Sequence, residues 1–136
     1  MAIKVGLSFD GFASFEDALA TARRADGAGA RSLWMAEHLG YRQSLVSCMA
    51  FALRTERATV VPTALSPYMW HPMAVAMAMA TIAEAAPGRA AIALGTGNPM
   101  FLRESGINPD RPVRVMREFV ECVKRLWDGE SVHYQG

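Results

Sequence analysis

The sequence predicts an α/β chain of about four consecutive βα units, and three observations predict it. Short aliphatic runs alternate with longer segments of helical period, and the alternation recurs about every 30 residues, as stacked βα units require. The chain has 136 residues, whereas a closed eight-unit barrel takes about 250, or about 31 per unit. The first βα turn, Asp10-Gly11-Phe12-Ala13-Ser14, lacks the G-x-G-x-x-G pattern with which an open doubly wound sheet would cradle a pyrophosphate. The expected architecture is the N-terminal half, about (βα)4, of a TIM-type (β/α)8 barrel, with an open doubly wound sheet as the alternative.

Ile3 to Phe9 reads as the first strand. A helix opens at Ser14, where Ser14 and Asp17 occupy the N-cap and N3 positions of a capping box, and its inward stripe is Phe15, Ala18, Leu19, Ala22 and Ala25. Gly27 and Gly29 end it. Ser32 to Ala36 supplies the second strand, and a helix follows from about Ser44 to Leu53. The third strand, from Ala58 to about Thr63, runs into Ser66-Pro67-Tyr68-Met69-Trp70-His71-Pro72. Pro72 suits the first turn of a third helix, which ends near Pro87-Gly88. Ala90 to Leu94 is the fourth expected strand and leads into Gly95-Thr96-Gly97-Asn98-Pro99. After a polar loop, the last helix runs from about Pro112 to Trp127 with the stripe Val113, Met116, Val120, Val123 and Trp127, and Gly129 stops it. Ser131 to Gly136 alternates polar and apolar residues, like a strand without a partner, so the chain is expected to stop mid-structure.

Composition narrows the function classes. With 51% hydrophobic and 20% charged residues and a net charge of +1, the chain is globular and lacks the basic footprint of a nucleic-acid binder. At this length one core is the expectation. Cys48 and Cys122 are far apart and show no C-x-x-C spacing, which argues against a disulfide framework or a zinc site. They are expected to be free thiols in a reducing cytoplasm, and no metal is expected. The apolar stretch at the N-terminus is too short for a signal peptide. Met73 to Ala86 is too short to span about 30 Å of hydrocarbon and reads as a buried helix. No membrane partner is expected.

In a barrel, ligands gather at the carboxyl ends of the strands, and three such places are unusual. Glu37-His38 follows strand two, where a carboxylate beside an imidazole suits a polar substrate or a proton donor near neutral pH; the alternative is a helix-capping Glu and a solvated His. The loop from Pro62 to Pro72 is stiffened by three prolines and carries Tyr68 and Trp70, which either flank a flat ligand or pack on the neighbouring helix. His71 is expected to cap the helix that starts at Pro72. Gly95-Thr96-Gly97-Asn98 lets backbone N–H groups approach a ligand and offers donors and acceptors, or is simply a tight turn. Met73, Met77 and Met79 read as core filler. Arg114, Arg117, Glu118, Glu121, Lys124 and Arg125 read as a solvated helix face.

Taken together, Ala36-Glu37-His38, Pro67-Tyr68, His71-Pro72, and the run from Ala80-Thr81-Ile82-Ala83-Glu84 through Gly88-Arg89 to Leu94-Gly95-Thr96-Gly97 resemble the luciferase-like family. That family contains luciferase-type monooxygenases and deazaflavin-dependent reductases. Even Trp127-Asp128-Gly129-Glu130, followed by Val132, Tyr134 and Gly136, is similar to the family's lead into a hairpin. The resemblance implies that residues 1–136 form a single incomplete luciferase-like barrel domain. It also implies a reduced flavin, coenzyme F-420 or alternatively FMN, with its tricyclic ring across the top of the barrel. In the deazaflavin branch a non-proline cis peptide backs the ring, and the resemblance places it between Thr63 and Ala64. By the same carry-over Glu37 and His38 lie at the reactive centre as catalytic residues, and Thr96, Gly97 and Asn98 contact the polar edge of the ring. Asn98 stands where some relatives carry a catalytic Glu, so the resemblance transfers only hydrogen bonding to it.

The expected function is hydride transfer between coenzyme F-420 and a small organic substrate. The alternatives are an FMN-dependent monooxygenase using oxygen and a non-catalytic fragment or half-barrel subunit. A homo-oligomer or a complementing second half-barrel is the expected partner, because half a barrel exposes two sheet edges and an apolar inner face.

Overall fold

The computed structural model describes residues 3–135. In chain order the elements are β1 (Gly6–Phe9), α1 (Phe15–Gly27), β2 (Ser32–Ala36), α2 (Ser44–Arg54), β3 (Thr59–Thr63), α3 (Pro72–Ala85), α4 (Pro99–Glu104) and α5 (Pro112–Trp127). The sheet is parallel in the order β1-β2-β3, with Gly6 opposite Ser32 and Ser32 opposite Thr59. Sequential parallel strands joined by helices are the βα repeat that the sequence periodicity predicts, and the open doubly wound alternative is set aside by the structural neighbours described below.

Local chemistry explains the boundaries. Ser14 Oγ accepts the Asp17 N–H at 3.1 Å, the N-cap bond expected at the start of α1, and it is the Ser14 hydroxyl rather than its backbone N–H that bonds Asp17 Oδ2, at 2.6 Å. Gln43 Oε1 caps α2 through the Val46 N–H at 2.6 Å, and His71 Nδ1 caps α3 through the Met73 N–H at 3.2 Å, with Pro72 in the first turn. At the other end of α2 the Arg89 guanidinium donates to Ala52 O and Ala58 O at 3.0 Å and to Thr55 Oγ1 at 3.3 Å. It ties the last turn of that helix to the start of β3.

Because side chains alternate along a strand, Leu7, Phe9, Leu33, Met35, Val60 and Pro62 share the face turned toward the helices. They meet Ala18, Ala22, Leu45, Phe51, Val75, Met79 and Ile82 in one core. The opposite face, which a closed barrel would turn inward, carries Gly6, Ser8, Ser32, Trp34, Thr59, Val61 and Thr63. It is therefore mostly small and polar rather than the apolar surface the half-barrel argument expects, and only Trp34 and Val61 are large apolar exceptions.

Several expectations are corrected. The first strand begins at Gly6, with Ile3 and Val5 exposed beyond one last bond from the Arg31 N–H to Val5 O. The fourth strand is a broken ladder: among the described residues the parallel bridges on that edge are Val60 with Ala90 and Leu65 with Leu94. Val60 N–H bonds Arg89 O, and Ala91 N–H bonds Val60 O. The next donor on β3 would be Pro62, which has no N–H. Pro62 O still accepts the Ala93 N–H in step, and the register slips by one residue only beyond it, where the Leu65 N–H bonds Ala93 O just past a cis peptide between Thr63 and Ala64.

The loop expected after Gly95 contains the short α4, capped by Asn98 Oδ1 on the Met100 N–H at 2.9 Å. On α5 the buried positions are Phe119, Cys122 and Val123. Val113, placed by the sequence on the inward stripe, is 82% exposed. The helix packs on α3 rather than on the sheet, so its contact stripe is rotated from the one a sheet would select. Of the three methionines read as core filler only Met79 is buried, and Met73 and Met77 face outward. Residues 131–135 form no strand, as a segment without a neighbour to pair with cannot; Gly136 lies outside the described residues.

Candidate active site at the carboxyl end of the sheet

A cavity of about 320 Å³ opens where β2, β3 and the broken fourth strand end, lined by Glu37, His38, Leu39, Ala64, Ser66, Met69, Gly97, Asn98, Phe101 and Leu102. Five of the seven residues singled out from the sequence, Glu37, His38, Ala64, Gly97 and Asn98, thus meet in one space. Thr63 and Thr96 do not line it. Each stands one residue away and acts through its carbonyl: Thr63 O accepts the Glu37 N–H at 2.6 Å, and Thr96 O accepts from Ser66 Oγ at 3.1 Å.

The two carboxylate oxygens of Glu37 are both engaged. Oε2 accepts the Ser44 N–H at 2.8 Å, at the N-terminus of α2, and Oε1 accepts the Trp70 indole N–H at 3.3 Å. A carboxylate at a helix N-terminus is the favourable sign of charge there. The helix-capping alternative weighed for Glu37 therefore describes its contacts, although its side chain still faces the cavity. His38 is half-buried and stacks on Phe12, with ring centroids 5.4 Å apart and planes 11° apart. Neither Tyr68 nor Trp70 flanks the cavity. Tyr68 donates its hydroxyl to Asp110 O, and Trp70 packs against the core.

Sequence reasoning did not single out Leu39, Ser66, Met69, Phe101 and Leu102 as site residues. Ser66 is 5% exposed and ties the two turns together through Thr96 O. Phe101 and Leu102 belong to α4, for which Asn98-Pro99, an N-cap followed by proline, was the available signal. The glycines of the second turn are needed for close approach. Gly97 has a φ of 86°, and a Cβ there would sit 3.1 Å from Leu102 Cδ1 and from Ser66 Oγ. A Cβ on Gly95 would sit 2.9 Å from that of Ala64.

Below the site, Cys48 is fully buried and burial pushes its thiol up to about 12, so it is no nucleophile at neutral pH. Cys122 is also a free, buried thiol raised by burial. Among the described residues no group of three His, Cys, Asp or Glu side chains is placed to hold a metal, and no helix is long and apolar enough to cross a membrane.

Parallel βα units with an apolar cavity at their carboxyl rim, bordered by a carboxylate, an imidazole and a glycine turn, have the arrangement of a ligand-binding rim of a (β/α) barrel. The sequence profile of the luciferase-like monooxygenase family matches residues 3–136, and the chain belongs to that family. It is 31% identical over 112 residues to a 5,10-methylenetetrahydromethanopterin reductase from Archaeoglobus fulgidus, covering 82% of this chain and 34% of that one. It is 33% identical over 132 residues to an F420-dependent glucose-6-phosphate dehydrogenase from Beutenbergia cavernae, covering 88% of this chain and 39% of that one. The oxygenating constituent of 3,6-diketocamphane monooxygenase from Pseudomonas putida, solved in complex with FMN, superposes over 99% of this chain and 42% of its own with a TM-score of 0.87 at 23% identity. That likeness establishes the barrel fold. The chain spans well under half the length of each of these relatives.

Proposed function

We propose that this chain contributes the N-terminal half of a luciferase-like oxidoreductase that moves a hydride between coenzyme F-420 and a small organic substrate. The observation that carries the reading is the convergence of Glu37, His38, Ala64, Gly97 and Asn98 on one cavity. The preference for F-420 over FMN rests on the two relatives of 31% and 33% identity, both named for F-420 or a methanopterin substrate rather than for FMN.

The residues suit a planar ring. Leu39, Ala64, Met69, Phe101 and Leu102 offer apolar surface to its faces. The bare backbone at Gly97, where a Cβ would crowd Ser66 and Leu102, admits a ring edge closely. With Asn98 Oδ1 committed to the α4 cap, its amide N–H₂ group remains to donate to a ring oxygen. When bound, the ring would supply the hydride-transfer chemistry. An imidazole nitrogen of His38 would hold or accept the proton at the substrate. Glu37, with both oxygens engaged, would hold the floor of the cavity by fixing α2 and Trp70 in place. Thr63 and Thr96 would set the backbone of the two turns. A homo-oligomer or a complementing second half-barrel would complete the rim.

The test is a titration of the purified protein with F-420 and with FMN, followed by fluorescence. Binding of F-420 in preference to FMN, weakened at least about tenfold by Gly97→Ala, which forces a side chain into left-handed backbone and into the cavity wall, is the expected result. FMN binding without F-420 binding would reject the preference.

A further inference from the structure

We propose that Ser66 is a positioning residue: its hydroxyl selects one of two orientations of the Thr96–Gly97 peptide, the one that leaves the Gly97 N–H free to donate to a ring bound in the cavity. The proposal rests on the reading of the cavity as a redox site and deepens it by naming what presets the donor.

Ser66 stands just beyond the last bridge between β3 and the broken fourth strand, where Leu65 pairs with Leu94 and Leu65 O accepts the Gly95 N–H at 3.0 Å. It is buried, yet it lines the cavity. Its backbone is fixed, because Ser66 O accepts the N–H groups of Met69 at 3.0 Å and Trp70 at 3.1 Å. Its side chain is fixed as well. Oγ accepts the Tyr68 N–H at 3.3 Å and donates to Thr96 O at 3.1 Å. A hydroxyl has one hydrogen to give, and here the Thr96 carbonyl takes it.

The peptide that carries this carbonyl has a choice of orientation that most peptides lack. Turning its plane over changes chiefly ψ of Thr96 and φ of Gly97, and glycine accepts φ of either sign. The peptide is trans, so its C=O and N–H point to opposite sides. In one orientation the carbonyl faces Ser66 and the N–H faces away; in the other the N–H faces Ser66. The Ser66 hydroxyl, as a donor, stabilises the first, which is the one present, with φ of Gly97 at 86°. The second would bring that φ to negative values, which every residue prefers. Without the hydroxyl the turn loses its reason to keep the left-handed form.

The orientation has a consequence at the cavity wall. Gly97 lines the cavity, and among the described residues no backbone or side-chain group accepts its N–H. The two residues are in direct contact, since a Cβ on Gly97 would lie 3.1 Å from Ser66 Oγ and 3.3 Å from Ser66 Cβ. Ser66 therefore acts on a ring through Gly97, without touching it.

The experiment follows the Gly97 amide by NMR while the protein is titrated with F-420 and with FMN, with affinities read by fluorescence. In the wild type the Gly97 amide proton should move downfield as a ring binds. Ser66→Ala, which removes one oxygen, should shift the Thr96 carbonyl and Gly97 amide resonances before any ring is added. It should also abolish the downfield movement and weaken the ring about threefold to tenfold. Ser66→Cys, close in size but a weak donor, should fall between. A purely structural Ser66 would lower the urea midpoint and leave the Gly97 response to the ring intact. A bound ring that leaves the wild-type Gly97 amide unmoved, or wild-type affinity and response in Ser66→Ala, would overturn the positioning role while the redox reading stands. FMN binding alone, with a Gly97 response that depends on Ser66, rejects the F-420 preference and supports the positioning role. Binding of neither ring rejects both.

Discussion

Asp26, at the end of α1, is 6% exposed and accepts three backbone N–H bonds from the segment that enters β3: Glu56 at 3.0 Å, Arg57 at 3.1 Å and Ala58 at 2.7 Å. Burial alone pushes its carboxyl up, but the donors from Glu56, Ala58 and Arg57, with the Arg57 charge, outweigh it and hold the group below its ordinary 3.8. A folded value below the unfolded one means that Asp26 adds stability above about pH 3.8 and loses it as the pH falls through the lower folded value. Asp26→Ala should lower the unfolding free energy by about 2–4 kcal/mol at neutral pH, because the donors lose their acceptor. Asp26→Asn should cost less and flatten the acid limb of the stability curve; urea denaturation from pH 3 to pH 7 checks both. Asp26 drew no attention in the sequence because it reads as one more charge on an amphipathic helix. Nothing local shows that a turn more than 25 residues later arrives at its oxygens. Glu37 illustrates the same limit from the other side: its place after β2 was legible, but its partners Ser44 and Trp70 were not.

At the scale of elements, the strands and helices follow from period and capping, and the discrepancies have particular causes. The fourth strand reads as an aliphatic run of ordinary length, yet its ladder breaks, because the interruption lies in its partner: Pro62 withholds a donor and the register slips before Leu65. The stripe on α5 was misplaced because periodicity gives a face but not the identity of the neighbour, and the neighbour is α3. Trp127 nonetheless reaches that neighbour through its indole N–H, 3.1 Å from Ala76 O. Arg89 acts between elements, holding the carbonyl end of α2 against β3. Arg89→Met should keep much of the packing of the aliphatic stem but orphan Ala52 O and Ala58 O, lowering the unfolding free energy by about 2–3 kcal/mol. Hydrogen exchange localised to the last turn of α2 and the start of β3 would distinguish this from a general loosening.

At the scale of the described chain, the sheet is open on the β1 side. β1 is an edge strand, and the inward face carries Trp34 and Val61 among small polar residues. An unpaired edge invites strand addition, whereas a polar face gives little hydrophobic drive. Light scattering at micromolar concentration should therefore show association that persists at high salt, and a Lys substituted for Ser8, on the edge strand, should reduce it. A strictly monomeric wild type would contradict the edge argument. The sequence by itself determined the βα order, the caps at Ser14 and His71 and the segments after strands two, three and four that border the cavity, because these depend on neighbours within a few residues, where period, capping and turn chemistry act. Only the tertiary structure decided that Ser66, Phe101 and Leu102 close the cavity, that both Glu37 oxygens are engaged, that Asp26 is an anchor and that Phe12 meets His38 and Tyr41. Those contacts join residues brought together by the winding of one βα unit against the next, and no local pattern encodes which surfaces that winding will press together.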